Sequence, residues 1–290
     1  MQIIKDIPRL KDREADAHKG DFGRVCIIAG SIGMSGAAAI AGQAALRAGA
    51  GLVRVATAKS VLPIVAAIEP SFTTIPLAED TAGRISAKAI NTILTAASEN
   101  DVMAIGPGIG VSGGLRTILD ALLRQENLRL LIDADGLNNL SKIKDWPNQC
   151  KAHLLLTPHP GEMAKLWSGL FREEPPPKRQ EQAVKLAQRT KTVVVLKGAR
   201  TIVSNGEKVY INKTGNPGMA TAGTGDVLTG VITALIGQGL SRFDAAVLGV
   251  YIHGLAGDIA VKKTGQVSLI ATDIIEALSN AFVRSYTNCD

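Results

Sequence analysis

Aromatic residues and dense runs of basic residues are both scarce in this chain of 290 residues. Phe, Trp and Tyr together make up 3% of it, which is too few for the stacking platforms of nucleic-acid-binding proteins. The formal net charge of +6 is spread along the chain and forms no basic block. The sequence therefore gives little support for a nucleic-acid partner, and a small anionic substrate suits the mild positive charge equally well.

Paired cysteines and long apolar runs are lacking too. The three cysteines, Cys26, Cys150 and Cys289, lie far apart, so neither a zinc site nor a disulfide framework is predicted. The charged amino terminus, MQIIKDIPRLKDREADAHKGDFG, contains no signal-peptide core. No apolar run reaches membrane-spanning length without polar residues or repeated glycine interrupting it. We therefore expect a cytoplasmic protein that does not contact a membrane.

Short runs rich in Val and Ile alternate with longer, amphipathic stretches rich in Ala and Leu. Unbroken apolar runs suit strands buried on both faces, and the alternation predicts a mostly parallel central sheet with helices on both faces. The first strand of the chain is expected to be RVCIIAG. The other predicted strands are LVRVAT (52–57), DVMAIG (101–106), LRLLIDAD (128–135), HLLLTP (153–158) and TVVVLKG (192–198).

A small β-hairpin interrupts this alternation. RTIVSNGEKVYIN contains two short runs joined by Asn205 and Gly206, a pair that tolerates the positive φ angles of a type I′ turn. A helical pattern begins near Thr224 or Gly225 and continues to the end. The three prolines of REEPPPKRQ (172–180) suit a surface loop better than a domain boundary. The sequence thus predicts one α/β domain over residues 1–290.

Small residues crowd the segment NPGMATAGTGDVLTG (216–230), whose single charged residue is Asp226. Glycines at a helix start let a phosphate approach free backbone N–H groups, which the helix dipole makes partly positive. Gly223, Thr224 and Gly225 would form this cradle. Asp226, in the first helical turn, could take a proton from an attacking hydroxyl. The alternative is an ordinary capped helix whose dipole Asp226 complements.

The stretch GPGIGVSGG (106–114) follows a predicted strand and satisfies the pattern G-x-G-x-x-G, with Asp133 about twenty residues further on. This pattern is typical of an NAD-dependent oxidoreductase. Pro107 inside the motif and the position of the motif in mid-chain weaken that interpretation. A tight turn that opens a helix is the simpler alternative.

Three charged or polar candidates follow other predicted strands. Pro158 and Pro160 hold His159 in an extended turn off a strand end, where we expect substrate contact. Glu162 falls in the first turn of the next helix, where it could organise Mg²⁺ near phosphates or complement the dipole. Lys197 ends a buried strand and could neutralise a nucleotide phosphate or extend to solvent.

The sequence context of two further pairs of residues predicts where they lie in the structure. His253 and Asp258 share a helix and are expected to make polar contacts in the core, outside the ligand site. His18 and Lys19 precede the first predicted strand, and we place them at the edge of the ligand site.

The chain resembles the ADP/ATP-dependent NAD(P)H-hydrate dehydratase family in seven segments that follow the family's order: HKGDFGRVCIIAGS, GAAAIAGQAALRAGAGLVRVAT, AIGPGIG, LIDADGLNNL, LLTPHPGEM, VVLKGARTIV and TGNPGMATAGTGDVLTG. The resemblance implies a ribokinase-like fold and a lyase. Such an enzyme uses ADP or ATP, with Mg²⁺, to phosphorylate the hydroxyl of the S-epimer of hydrated NADH or NADPH (NADHX or NADPHX). Elimination then restores the nicotinamide.

By position, the resemblance also implies roles for single residues. Contacts to the adenine nucleotide are implied for Lys197, Gly198, Ala199, Arg200, Thr201, Gly223, Thr224 and Gly225. Contacts to the hydrated dinucleotide are implied for Ala37, Gly108, Gly110, His159 and Asp226, with Asp226 as the catalytic base. GPGIG would then touch NAD(P)HX as substrate. Met34 stands where the family commonly carries an aromatic residue.

Further implications and alternatives stay open. The family suggests a homotetramer, and the absence of a fused epimerase domain implies a separate epimerase chain as partner. A vitamin-precursor kinase of the same fold, an NAD-dependent oxidoreductase and a nucleotide-binding regulator without chemistry remain alternatives; the presence of Asp226 argues against the last. Neither the choice between ADP and ATP nor that between NADHX and NADPHX can be read from the residues.

Overall fold

Ten strands form one sheet in the computed structural model, which describes residues 1–287. The strands of this part of the chain are β1 (Gln2–Ile4), β2 (Arg24–Ile28), β3 (Leu52–Ala58), β4 (Thr73–Leu77), β5 (Val102–Ile105), β6 (Arg129–Ile132), β7 (His153–Leu156), β8 (Val193–Leu196), β9 (Ile202–Ser204) and β10 (Lys208–Ile211). They lie side by side in the order β1-β10-β9-β8-β7-β6-β5-β2-β3-β4. Only β9 among them runs antiparallel to its neighbours, so the predicted mostly parallel sheet is confirmed.

Helices connect most of these strands. Within the described residues they are α1 (Ser35–Arg47), α2 (Leu62–Ile68), α3 (Ile90–Glu99), α4 (Gly113–Leu123), α5 (Asp135–Leu140), α6 (Trp146–Gln149), α7 (Pro160–Leu170), α8 (Arg179–Thr190), α9 (Thr224–Gly237), α10 (Arg242–Ser268) and α11 (Ala271–Thr287). Short 3₁₀ turns occur at Lys19–Phe22, Ala87–Ala89 and Pro217–Met219.

The middle of the sheet is buried on both faces. Successive side chains of a strand point to opposite faces, and all residues from Val25 to Ile28 in β2 are fully buried. Helix α9 packs against α1, β2 and β5. A Cβ on Gly230 would lie 2.2 Å from the carbonyl oxygen of Ala41, so only glycine permits this close approach of α9 to α1. The helix that carries Asp226 is therefore anchored in the core.

Several predicted boundaries need correction. The prediction that RVCIIAG is the first strand is wrong, because Gln2–Ile4 forms β1 and pairs in parallel with β10 at the sheet edge. The hairpin of β9 and β10 is confirmed, but its turn is not type I′: only Gly206 of the Asn-Gly pair has a positive φ, of 93°. The strand predicted to reach Asp135 ends at Ile132, because the chain turns sharply immediately afterwards.

Other expectations concern the loops, the termini and the longest helix. The proline-rich segment is a loop between α7 and α8, as predicted. Helix α10 is long and apolar enough to cross a membrane by length and composition alone, yet 67% of its most apolar window is buried inside the protein, as in a core helix. Cys26 and Cys150 are free thiols, and Cys289 lies outside the described residues.

Candidate active site

The carboxyl ends of the parallel strands bring most of the predicted site residues to one edge of the sheet. From β2 the chain runs outward through β3 and β4, then returns to β5 on the other side of β2. Ligands bind at such a switch point in open α/β sheets. Neighbouring strands are about 4.8 Å apart, so the three steps from β5 to β8 span roughly 15 Å. Two ligands can meet along an edge of that length.

Glycines shape the end of this edge at β2 and β5. Gly108 and Gly110 have positive φ angles of 63° and 75°. A Cβ on Gly108 would lie 2.9 Å from the Cβ atoms of Ala37 and Met34, and the carbonyl of Gly108 accepts a hydrogen bond from Ser31 Oγ at 2.7 Å. We call Ala37, Gly108 and Gly110 the glycine half of the site. Gly108 is buried, whereas Ala37 and Gly110 are partly exposed.

Exposed apolar side chains border the glycine half. Met34 is 48% exposed and Ile32 is 63% exposed, and both lie in the loop between β2 and α1. The Met34 that replaces an aromatic residue is thus available to contact a ligand. Arg84 lies beside Gly110 and forms an ion pair with Asp80 at 2.9 Å.

A strained turn follows β6. Ala134 has φ 47° and ψ −121°, which are the angles of the first central residue of a type II′ turn, a position that glycine normally occupies. The backbone N–H of Gly136 donates to the carbonyl of Asp133 at 2.9 Å and closes the turn. Strain of this kind concentrates at functional sites.

A buried charged cluster lies below this turn. The carboxylate of Asp133 is 1% exposed. It accepts hydrogen bonds from Thr157 Oγ1 at 2.7 Å, Lys197 Nζ at 2.5 Å and Thr229 Oγ1 at 2.7 Å. Asp133 therefore links the ends of β6, β7 and β8 to helix α9. The sequence analysis missed this role, because its three partners are distant in the chain.

Lys197 carries the positive charge of the cluster. Its Nζ lies 2.5 Å from Asp133 and 3.8 Å from Glu162. Burial lowers the pKa of Lys197, but the carboxylates of Asp133 and Glu162 outweigh burial and leave the pKa above its usual value. A Cβ on Gly225 would lie 3.5 Å from this Nζ, so the ammonium adjoins the start of α9. The predicted phosphate site thus has two adjacent sources of positive charge, the ammonium of Lys197 and the amino end of α9.

The loop after Lys197 is held by an arginine that the sequence analysis did not single out. Arg179 donates from its guanidinium to the carbonyl oxygens of Leu196, Lys197 and Ala199, at 3.1, 2.9 and 2.8 Å. Three bonds to one loop require the planar fork of arginine. We call residues 197–201 with Gly223–Gly225 the cationic half of the site.

Two residues in that loop have left-handed backbone conformations. Gly198 and Arg200 have positive φ angles of 135° and 55°, and Thr201 Oγ1 donates to the carbonyl of Gly198 at 3.0 Å. The loop is therefore a tight, internally bonded turn at the end of β8.

The glycines at the start of α9 serve different purposes. Gly223 caps the helix with φ 85°, and a Cβ there would come within 3.0 Å of Ile40 and Ala271. Gly223 is thus required by the fold. A Cβ on Gly225 would make only ordinary contacts of 3.5 Å or more. The fold therefore does not need glycine at position 225.

Asp226 lies in the first turn of α9, and the pKa of its carboxylate is well above that of an ordinary aspartate. Burial raises its pKa to about 7, the charge of Asp133 adds to the increase and Lys197 opposes it. Burial and neighbouring charges cause this shift, with no hydrogen bond to the carboxylate among the causes. A carboxylate whose pKa lies near 7 is suited to act as a general base.

His159 and Glu162 form a reciprocal cap at the start of α7. The backbone N–H of His159 donates to Glu162 Oε2 at 2.8 Å, and His159 Nδ1 accepts the N–H of Gly161 at 2.9 Å. Pro160 opens the helix, as predicted. Burial raises the pKa of Glu162, although Lys197 opposes this shift. By strand order His159 lies nearer to the cationic half than to the glycine half.

Four residues from outside the main motifs can also be placed. His18 and Lys19 lie where the chain enters β2, at the edge opposite the site, so their predicted position is wrong. His253 is buried in α10 beside the backbone of Thr224, and burial lowers its pKa to about 4. Asp258 accepts the backbone N–H of Gly215 at 2.8 Å. His253 makes its contact in the core, as expected, whereas Asp258 is only half-buried. Both contact the segment that precedes Asp226.

A family model for NAD(P)H-hydrate dehydratase matches residues 25–280. The chain is 44% identical to a bifunctional NAD(P)H-hydrate repair enzyme from Moorella thermoacetica over 93% of the chain and 51% of that protein. It is 34% identical to an ADP-dependent (S)-NAD(P)H-hydrate dehydratase from Neisseria meningitidis, over 95% of the chain and 91% of that protein. The chain belongs to the NAD(P)H-hydrate dehydratase family.

Solved structures agree with this family assignment. An ADP/ATP-dependent NAD(P)H-hydrate dehydratase from Bacillus subtilis, co-crystallised with ATP and Mg²⁺, superposes with a TM-score of 0.81 at 29% identity, over 95% of this chain and 94% of that one. A ribokinase-like protein from Enterococcus faecalis superposes with a TM-score of 0.80 at 27% identity, over 95% and 92%. The predicted ribokinase-like fold is therefore confirmed. The chain spans about half the length of the bifunctional relatives it matches.

Proposed function

We propose that the protein is a nucleotide-dependent dehydratase that converts hydrated NADH or NADPH back to NADH or NADPH. The observation that carries the proposal is Asp226, a carboxylate with a pKa of about 7 that lies at a helix start and interacts with the charge of the Lys197 ammonium. Membership of the NAD(P)H-hydrate dehydratase family supports this substrate class over the other kinases of the same fold.

In this proposal the cationic half binds the adenine nucleotide. Lys197 and the free backbone N–H groups of Thr224 and Gly225 would face its phosphates, since ammonium and helix amides both favour anions. The bonded loop from Gly198 to Thr201 would contact the rest of the nucleotide. The relative from Neisseria is called ADP-dependent, and the one from Bacillus ADP/ATP-dependent. We leave the choice between the two donors to experiment.

The glycine half would bind the hydrated dinucleotide, with Ala37, Gly108 and Gly110 in contact with it and His159 at its other end. Asp226 would then accept the proton of the substrate hydroxyl as that oxygen attacks the terminal phosphorus. Lys197 would stabilise the negative charge on the transferred phosphoryl group. Elimination would break the carbon–oxygen bond and a carbon–hydrogen bond of the neighbouring ring carbon, release phosphate and a proton, and restore the nicotinamide.

Mg²⁺ enters this proposal with the nucleotide. The described residues contain no group of three or more His, Cys, Asp or Glu side chains that could hold a metal ion by themselves. Mg²⁺ usually binds through substrate phosphates and one or two carboxylates, and it would supply charge neutralisation there. Glu162 is engaged by the backbone of His159 and lies near Lys197. A metal role for Glu162 therefore stays a prediction.

The wider setting of the enzyme also belongs to the proposal. We expect one catalytic domain, a homotetramer, a cytoplasmic location and a separate epimerase that supplies the S-epimer. The bifunctional names of the longer relatives support coupling to a second repair activity. Hydrated NADH offers the direct test: its conversion is followed at the absorbance band of the reduced nicotinamide with ADP, with ATP, or with neither. Conversion at full rate without a nucleotide would overturn the proposal.

A further inference from the structure

Asp133 and Asp135 stand on either side of the turn at Ala134 and serve different neighbours. Residues two positions apart in a strand point to the same side, but the turn separates these two side chains. Asp133 accepts a hydrogen bond from Lys197 Nζ at 2.5 Å. Asp135 Oδ2 accepts the backbone N–H of Gly110 at 2.9 Å. One acidic residue therefore contacts the cationic half of the site and the other contacts the glycine half.

We propose that these two aspartates position the two halves of the site separately, Asp133 by fixing the ammonium of Lys197 and Asp135 by fixing the backbone of Gly110. Both are positioning residues, since they act through a neighbour. The inference rests on the proposed function, in which the cationic half binds the nucleotide and the glycine half the hydrated dinucleotide.

Asp133 has the geometry to fix a flexible cation. A lysine side chain loses rotamer freedom when it is held in one place, and Asp133 is itself fixed by Thr157 and Thr229. Without the Asp133 charge, the next carboxylate for the ammonium is that of Glu162, at 3.8 Å. The ammonium would lose its shortest contact and be held only by the more distant charges of Glu162 and Asp226. The site would then bind the nucleotide phosphates less tightly.

Asp135 has the geometry to fix a peptide group. It holds the N–H of Gly110, while Asn139 Nδ2 holds the carbonyl of the same residue at 2.9 Å. Both side chains come from α5, so this helix binds the N–H and the carbonyl of Gly110. Loss of the Asp135 charge weakens one of the two bonds and loosens the loop after β5. The cationic half shares none of these contacts.

The test compares two matched variants, Asp133→Asn and Asp135→Asn, which make the same chemical change two residues apart. KM for ADP, KM for hydrated NADH and kcat are measured for each, below the melting temperature of both proteins. We expect Asp133→Asn to raise KM for ADP about tenfold, with KM for the hydrate within about twofold of wild type. Asp135→Asn should show the opposite pattern. A merely structural role would shift both KM values together in each variant and would overturn the inference.

Lys197→Met, alone and with Asp133→Asn, keeps the inference testable if one variant is unstable. Once the ammonium is gone, Asp133 has nothing left to position, so the second change should add no more than about a twofold loss in kcat/KM for ADP. Losses that multiply would contradict the role of Asp133. The reverse KM pattern would overturn the assignment of the halves and the inference as stated. A wild-type enzyme that needs no nucleotide would overturn the proposed function and this inference with it.

Discussion

The two halves of the site are lined by different chemical groups. The glycine half consists of Gly108 and Gly110 with apolar side chains such as Met34 beside them, and in our proposal it binds the hydrated nicotinamide. The cationic half has a half-buried ammonium, Lys197, next to the start of α9, and in our proposal it binds phosphates. Asp226 lies at the start of α9, where in the proposed reaction a hydroxyl from one ligand meets a phosphorus of the other.

The largest expected effect comes from removing the base between the halves. Asp226→Asn keeps the size of the side chain but cannot accept the hydroxyl proton, so kcat should fall by about 10²–10⁴-fold. ADP affinity should persist or increase slightly, because a negative charge beside the phosphates is lost. The measurements are steady-state turnover and ADP titration. If more than about a tenth of the turnover remains, Asp226 is an ordinary dipole-complementing residue.

Blocking the cationic half should weaken nucleotide binding and spare the fold. Gly225→Val places a branched side chain where phosphates would approach the amides, so Kd for ADP should rise on the order of a hundredfold, since hydrogen bonds to charged groups contribute about 1.5–3 kcal/mol each. The matched control is Gly113→Val at the first position of α4, where a Cβ also meets only an ordinary contact at 3.6 Å. An unchanged ADP affinity in Gly225→Val would show that the cradle does not bind phosphate.

The pH profile tests the surroundings of Asp226 directly. Its raised pKa of about 7 comes from burial first, then from the charges of Asp133 and Asp135, with Lys197 opposing. The base must be deprotonated, so kcat/KM should rise with pH through about 7 and be about tenfold below its plateau at pH 6. A midpoint near pH 4, the value of an ordinary aspartate, would contradict this environment.

The same raised pKa has a consequence for stability. The folded protein holds the Asp226 proton more tightly than the unfolded chain, so the stability due to this group is present below pH 4 and is lost as pH rises through 7. Because asparagine has no proton to lose in this pH range, the Asp226→Asn variant does not lose this stability as pH rises. The melting temperature of the variant should therefore exceed that of wild type at pH 8, with a smaller difference at pH 5.

His159 decides where the boundary between the halves runs. His159→Ala should raise KM for the hydrate about tenfold, the effect of one lost hydrogen bond of about 1.4 kcal/mol, with little change in KM for ADP. The variant also loses the cap at Gly161, so stability should fall by about 1 kcal/mol. A rise confined to KM for ADP would place His159 in the cationic half, as its position between β7 and α7 allows.

The smallest expected effect concerns the turn that both halves share. Ala134→Gly relieves a backbone conformation that favours glycine. The relief of about 1–3 kcal/mol of strain is partly offset by the greater freedom of glycine in the unfolded chain, about 0.4–1 kcal/mol. We expect a small increase in the free energy of unfolding by chemical denaturation. A loss of stability would show that the alanine methyl contributes packing that outweighs the strain.

The sequence predicted those features that depend on neighbouring residues. Parallel strands, the hairpin and the small-residue segment around Asp226 all have short-range patterns of apolar residues or glycine. The resemblance to the family placed Lys197, Gly108 and Gly110 in the predicted site as well. Their contacts with ligands stay predictions.

Features that depend on distant residues could not be predicted in this way. Asp133 acquires its role from Thr157, Lys197 and Thr229, which only the folded sheet places within hydrogen-bonding distance. Arg179 stands at the end of a proline-rich loop whose composition suggests a surface position. The strand β1 has three residues, too few for a recognisable alternation. A spatial cluster of charges leaves no periodic trace in a sequence.

The most direct test of the account follows the oxygen atom of the substrate hydroxyl. Hydrated NADH labelled with oxygen-18 at that hydroxyl is converted by the enzyme with ADP, and the phosphate released is analysed by mass spectrometry. If Asp226 activates the hydroxyl to attack phosphorus, the label must appear in inorganic phosphate, with one phosphate released for each NADH formed. Label found in water, or NADH formed without release of phosphate, would contradict phosphorylation of the hydroxyl and the place given to Asp226 between the two halves.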